Sequence, residues 1–432
     1  MESFVGKRAV KLGKTALIVL LTASALLLGM RTRLFDDIFK TIPFFGNVAV
    51  FVRGSGAADS APSGTILKEA AQPLTIVITN EDGERYGVRY DTALRNAVYD
   101  RTSSILGEAL GSATASREIS EDEWRAALSG PGVYFEYISP VTLSILDGWL
   151  IRARIPSTAG DASLRRVFVA FGEDRSSVYY QNNDNGLFFA ADTASSAGKA
   201  QELEIYSPNG ALFAFETGIP TAENAPYTII MQESLHSEIR VLPQHTTDEL
   251  VTMTLDALGH GNETYTPRFD SEGALVHVGI QFNITTSAFG HVAYRRTDMA
   301  QPDSTAHILS DSQAIEMARL VVGDTINSVG SSAEVFFEKL EYGISGARTV
   351  FFGYYIAGGR IHLQDDRYAA WITIVDGTIT ELELVYRSFA FTGEQTRLLP
   401  ERQALASAGG EFILSYTDTG VERLQPSWTL YK

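Results

Sequence analysis

One uncharged apolar run, residues 15–30 (TALIVLLTASALLLGM), stands between Lys7, Arg8, Lys11 and Lys14 on one side and Arg31 and Arg33 on the other. A helix needs about 20 apolar residues to cross a hydrocarbon core of roughly 30 Å. The run is slightly short, and the apolar stems of Lys14 and Arg31 extend its reach. Leu34, Ile38, Phe39 and Ile42 continue at helical spacing with Asp36, Asp37 and Lys40 on another side, the pattern of a helix lying on a membrane surface. Residues 54–64 (GSGAADSAPSG) have the composition of a flexible linker. Beyond the linker the apolar period switches repeatedly between two and 3.6.

Residues 74–79 (LTIVIT) read as a buried strand, 80–83 as a turn and 86–90 as a second strand. Asp91 caps a helix to about Leu110, with Leu94, Val98, Ile105 and Ala109 on one face. The run 120–123 (SEDE) is a capping-box pattern opening a helix through Leu128, and strands follow at 133–138, 167–171, 177–181, 187–191, 211–215 and 227–232. A simpler order then comes twice. Capping boxes at 246–249 and 310–313 each open a helix. Strands near 274–284 and 290–295 follow the first. Strands near 335–341, 349–356, 368–375 and 378–389 follow the second. Pro400 opens a last helix, Gly409-Gly410 ends it, and strands at 412–416 and toward Leu430 close the chain.

Helices followed by antiparallel strands predict an α+β protein: an N-terminal transmembrane helix, then extracytoplasmic antiparallel sheets with packed helices and a degenerate repeat in the C-terminal half. The predicted organisation is a cytoplasmic arm and anchor (1–33), a membrane-proximal amphipathic segment and linker (34–72), an N-terminal α+β domain (73–240), a central α+β unit (241–309) and a C-terminal α+β domain (310–432). The basic arm places the N-terminus in the cytoplasm and the bulk outside, at the cell membrane in a single pass. A cleaved signal peptide is the main rival, and Gly29-Met30-Arg31-Thr32-Arg33 makes a poor cleavage site. Thr22, Ala25 and Gly29 share one face of the anchor. Ala25 and Gly29 form a small-xxx-small pair that lets another membrane helix approach, so these three are the candidate helix contacts.

Charge sharpens this picture. The chain carries −17 overall and +5 over residues 1–33, which leaves −22 for the remainder. That surface repels nucleic acid and favours cationic partners. The absence of cysteine excludes disulfides, thiol catalysis and thiolate metal sites.

Catalytic chemistry finds little support. His236, His245, His260, His277, His291, His307 and His362 show no HExxH arrangement, and no GxSxG, SxxK, Walker or GxGxxG motif occurs. The run 182–186 (NNDNG) is rich in oxygen but lacks the downstream glutamate of an EF-hand, so it reads as a hairpin loop. Asp365-Asp366 and the 121–123 (EDE) cluster read as a solvated turn and a helix N-terminus, not a glycosidase pair. No cofactor, metal or enzymatic activity is expected.

Five features of the C-terminal third carry a resemblance. They are the Asp376-Gly377 hairpin, the long strand after it, the Pro400 helix, the LSY strand ending at Tyr416, and the terminal LQPSW containing Leu424, Pro426 and Trp428. In this order they resemble the YycH/YycI family of two-component regulatory proteins. Residues 133–140 look like a counterpart of that family's N-terminal region. The resemblance implies a membrane accessory of a sensor histidine kinase governing cell-wall homeostasis. Such a protein acts by transmembrane and extracytoplasmic contact with the kinase and a sister protein of the same type. A homodimer also stays open. An envelope scaffold with no kinase link, and an anchored wall-acting enzyme, are the alternatives.

Overall fold

The computed structural model describes residues 70–150, 162–172, 175–194, 200–243, 245–271, 274–298 and 309–431, all inside one compact unit, Ala61–Lys432. The predicted anchor, with Thr22, Ala25 and Gly29, lies outside the described residues, as does His307. Among the described residues no helix is long and apolar enough to cross a membrane. They form an α+β fold with six α-helices and sheets that are antiparallel apart from one parallel strand pair, residues 360–363 with 415–418.

The N-terminal sheet has seven strands: β1 (Thr75–Thr79), β2 (Arg85–Val88), β3 (Arg117–Ile119), β4 (Gly132–Thr142), β5 (Ser163–Phe171), β6 (Ser176–Asn182) and β7 (Phe188–Asp192). Their order is β2-β1-β4-β5-β6-β7-β3, every pair antiparallel. Helix α1 (Thr92–Gly111) starts at Asp91, whose Oδ1 accepts from Leu94 N at 2.9 Å. It packs on this sheet through Val98, Tyr99, Ile105, Leu106 and Ala109. Leu94 was expected on that face and instead stands 41% exposed, while its neighbour Arg95 is buried. Helix α2 (Glu121–Leu128) buries Trp124 and Leu128. Its expected capping box is only half formed. Ser120 Oγ accepts from Glu123 N at 3.1 Å, but the Glu123 carboxylate turns away to Arg117. The ion pair outcompetes the box because Arg117 sits on the adjacent β3. Helix α3 (Leu143–Trp149) follows β4 directly, and sequence periodicity did not reveal it.

Gly132 opens β4 opposite Ala170 of the paired β5. A Cβ there would meet Phe168 Cζ at 2.5 Å and clash with Val169 O. Gly132→Ala is expected to destabilise the chain by about 1–3 kcal/mol, the usual cost of overpacking. Urea denaturation of the full chain checks this, and an unchanged midpoint would show that the strands can separate there.

The short strands β8 (Leu212–Phe213) and β9 (Ile229–Ile230) make a small ladder where two longer strands were expected. Tight 3₁₀ turns at Ala214–Glu216 and Pro220–Asn224 take up the backbone between them. Strand β10 (Leu235–Val241) leaves the N-terminal half.

The C-terminal half holds two helix-plus-meander units. Helix α4 (Thr247–Ala257), with a complete Thr246/Glu249 capping box, precedes β11 (Thr266–Phe269), β12 (Leu275–Val278), β13 (Phe282–Ser287) and β14 (His291–Arg296). One strand was expected over 274–284. Two form, because the chain turns at Gly279, whose missing Cβ leaves room for the Phe282 ring. Helix α5 (Asp311–Asp324), with a complete Ser310/Gln313 box, precedes β15 (Glu334–Tyr342), β16 (Arg348–Ile356), β17 (Gly359–Leu363), β18 (Ala370–Val375) and β19 (Thr378–Val385). The shared sheet runs β11-β12-β13-β14-β19-β18-β16, and β15 adds to the far edge of β16. Each helix thus precedes a four-stranded meander, and the two meanders meet through their last strands, β14 and β19.

Strand β16 also forks the sheet. Residues 348–352 pair with β18 and residues 354–356 with β17. Strand β17 leads to β21 (Phe412–Asp418) and β23 (Ser427–Leu430). The strand expected over 378–389 ends at Val385, and a further strand that was not expected, β20 (Phe389–Arg397), pairs with β10, which also pairs with β22 (Arg423–Leu424). The break falls at Arg387, whose buried guanidinium turns inward to grip Asp418 at 2.7 and 2.8 Å. Helix α6 (Glu401–Ala408) lies between β20 and β21. Pro400 is its N-cap and Gly409 ends it in the left-handed region at φ +69°.

Candidate functional site

The motif residues singled out in the sequence fall into two places. Asp376 and Gly377 form the β18–β19 turn at φ +48° and +74°, the two positive dihedrals a type I′ hairpin requires. Tyr416, Leu424, Pro426 and Trp428 instead gather on the C-terminal tail where it closes on β10. Tyr416 is buried and donates its hydroxyl to Ser237 O at 3.0 Å. Leu424 pairs with Ile239. Trp428 donates Nε1–H to Leu399 O at 2.8 Å and meets the rings of Tyr90, His236 and Phe412 with centroids 6.5, 5.2 and 5.2 Å away. These motif positions are therefore packing and closure elements. They fasten residues 412–430 to residues 90 and 235–241.

Beneath this closure lie two buried polar groupings. In the first, Glu401 of α6 accepts hydrogen bonds from the Tyr90 hydroxyl and from Met231 N. Burial pushes its carboxyl up to about 7, although Tyr90 and Arg89 pull the other way. His236, packed between Tyr90 and Trp428, is pushed down to about 4 by burial and stays neutral at physiological pH.

The second grouping is an ion network. Glu136 projects from the centre of β4 and is wholly buried. It faces Arg89 at 3.1 Å, Arg165 at 3.4 Å and Arg166 at 3.3 Å. Glu411, just before β21, joins Arg165 at 3.0 Å and Arg166 at 2.9 Å. Burial alone would raise the Glu411 carboxyl, but Arg165 and Arg166 override it and hold it down at about 2. Tyr431 caps the network with its ring 4.0 Å from the Arg165 guanidinium and its hydroxyl donated to Ile138 O at 2.8 Å. Arg89 just after β2, residues of β4 and β5, and Glu411 and Tyr431 near the end of the described residues thus share one desolvated cluster.

No local spacing connects residues 89, 136, 165, 166 and 411, so sequence reasoning missed them. A signal was present. Glu136 interrupts the apolar run VYFEYI, and Arg165-Arg166 interrupt an equally apolar strand. A charge inside a strand buried on both faces needs a partner.

The other candidates are accounted for locally. The 182–186 run forms the β6–β7 hairpin, with Asn182 Oδ1 accepting from Asp184 N and Asn185 Oδ1 from Leu187 N, both at 3.0 Å. Asp365 and Asp366 form a tight turn at positive φ. His245 lies 3.6 Å from Glu249, His260 2.8 Å from Glu263 and His291 3.2 Å from Glu383. His277 is buried against Tyr265 at 5.2 Å, and His362 sits on β17. Among the described residues no three His, Asp or Glu side chains converge to hold a metal ion.

Neither known family descriptions nor curated proteins match this sequence. Solved structures do. YycH from Bacillus subtilis matches with a TM-score of 0.51 at 11% identity, covering 87% of this chain and 96% of that one. An uncharacterized protein from Eubacterium rectale covers 45% of this chain and 76% of its own at a TM-score of 0.30 and 11% identity. The chain has a YycH-like fold.

Proposed function

We propose that this protein is a membrane-anchored, extracytoplasmic regulator of a two-component sensor histidine kinase and works by contact rather than by catalysis. The observation that carries this reading is the YycH-like fold, shared over 87% of the chain and 96% of YycH. The C-terminal motifs that resemble the same family agree with it, and so does the uncharged run 15–30 between basic flanks. The mechanism is a population shift. A regulator that packs better against one kinase state than another changes the balance by its differential affinity. In this reading the anchor supplies part of that contact through Thr22, Ala25 and Gly29, and the acidic outer unit supplies the rest.

Replacing Ala25 and Gly29 together by Leu is expected to change kinase output at unchanged protein level, because a bulky face prevents close helix approach. Phosphorylation of the cognate response regulator is the readout, with crosslinking and co-purification from membranes as the companion measurement. Unchanged output would count against helix contact. Envelope proteins recovered without any kinase would favour the scaffold reading.

A further inference from the structure

Asn-Gly occurs twice in the chain, at Asn185-Gly186 and at Asn209-Gly210. In this dipeptide the glycine nitrogen can reach the asparagine carboxamide carbon, because glycine carries no side chain to hinder the approach. The structure holds the two copies in opposite ways.

Asn209 is pinned at both ends of its amide. Its Oδ1 accepts from Gly87 N at 2.9 Å, and its Nδ2 donates to Gly87 O at 2.7 Å. Its own backbone N donates to Arg85 O at 2.9 Å. The side chain thus satisfies the edge of β2 at Gly87, and turning toward Gly210 would forfeit both amide bonds. Gly210 is packed as well, since a Cβ there would clash with Gln232 Nε2.

Asn185 sits at the tip of the β6–β7 hairpin, where residues 183–187 are all exposed. Its Oδ1 accepts from Leu187 N at 3.0 Å, while its Nδ2 donates to no group among the described residues. A donor on Oδ1 stabilises the negative charge that develops there when the carboxamide carbon is attacked. Gly186 stands at φ +74°, and a Cβ there would have nothing within 4 Å, so nothing packs over the tip. Gly186 N donates to Asn182 O at 2.8 Å, and this bond must open before the nitrogen can attack. Hydrogen bonds at exposed loop tips open at little free-energy cost.

We propose that Asn185 is a site of spontaneous deamidation in the folded protein, with water as the co-reactant, and that Asn209 is protected. Gly186 N loses its proton and bonds to Asn185 Cγ. The Cγ–Nδ2 bond breaks and ammonia leaves with that proton. Water then opens the succinimide ring at either carbonyl, giving aspartate or isoaspartate at position 185. Either product adds a negative charge beside Asp184. Isoaspartate also lengthens the main chain by one carbon and is expected to loosen the Asn182–Leu187 pairing that closes the hairpin. The assignment goes beyond the kinase reading and does not depend on it.

The test is peptide mapping by mass spectrometry of the purified full chain, incubated at mildly alkaline pH both folded and in urea. In the folded chain Asn185 is expected to convert about tenfold or more faster than Asn209. In urea the two rates are expected to converge. Asn185→Gln, whose longer side chain closes a ring far more slowly, is expected to lose the conversion in that peptide. The proposal is overturned if Asn185 stays intact in the folded chain while it converts in urea, or if folded Asn209 converts as fast as Asn185. It is also overturned if the difference persists undiminished in urea, or if the Asn185→Gln peptide still converts, which would assign the reaction to Asn182 or Asn183.

Discussion

Replacing Glu136 by Ala is expected to cost about 3–5 kcal/mol of unfolding free energy, the penalty for breaking a buried ion cluster from one side. The loss arises in what remains. Arg165 and Arg166 would then keep Glu411, and Arg89 would lose its one ion-pair partner among the described residues while buried. Glu136→Gln keeps the shape and part of the hydrogen bonding, so a smaller loss is expected. Urea denaturation of the full chain measures both. A loss under about 1 kcal/mol for Glu136→Ala would mean that water reaches the cluster and screens it. The intact network need not add much net stability, since desolvating five charges offsets most of their attraction. Its effect is on arrangement: Glu411 on Arg165 and Arg166, with Tyr431 on Ile138, ties residues 411–431 to β4 and β5.

The second large effect is on pH dependence. The Glu401 carboxyl titrates near 4.5 when unfolded and near 7 when folded, so the folded chain holds this proton more tightly. Its contribution is fully present below pH 4.5 and is lost as pH rises through 7, about 3 kcal/mol across the window. Two neighbours act with the opposite sign. The contribution of Glu411, held down at about 2, is present above 4.5 and lost as pH falls through 2. His236, pushed from 6.5 to about 4, costs stability as pH falls between those values. The difference between the parent chain and Glu401→Gln isolates the one term. The amide imitates the protonated carboxyl, so the variant is expected to gain on the parent between pH 5 and pH 8. Denaturation midpoints at these two values check it, and a difference independent of pH would mean that the carboxyl is not desolvated in the folded chain.

Much of the fold was legible because its causes are local. Asp91, Thr246 and Ser310 cap their helices as their side chains and positions require. Asp376-Gly377 turns because both residues tolerate positive φ, and the 74–79 run pairs as a strand because it is rich in β-branched residues and free of charge. The boundaries that moved did so where a distant partner intervened. Arg117 drew Glu123 out of its capping box, and Asp418 drew Arg387 inward and ended β19 early.

The candidate site was legible only in part, for the same reason. Tyr416, Leu424 and Trp428 could be singled out as a motif, but their partners on β10 lie nearly two hundred residues upstream. Element types, caps, hairpins and the acidic character of the chain beyond residue 33 follow from the sequence by itself, since each depends on neighbours a few positions apart or on composition alone. The forked sheet, the linking of Glu136 and Glu411 through Arg165 and Arg166, and the raised Glu401 carboxyl were decided by tertiary structure. Desolvation sets each of them, and desolvation depends on which distant segments come to cover a group.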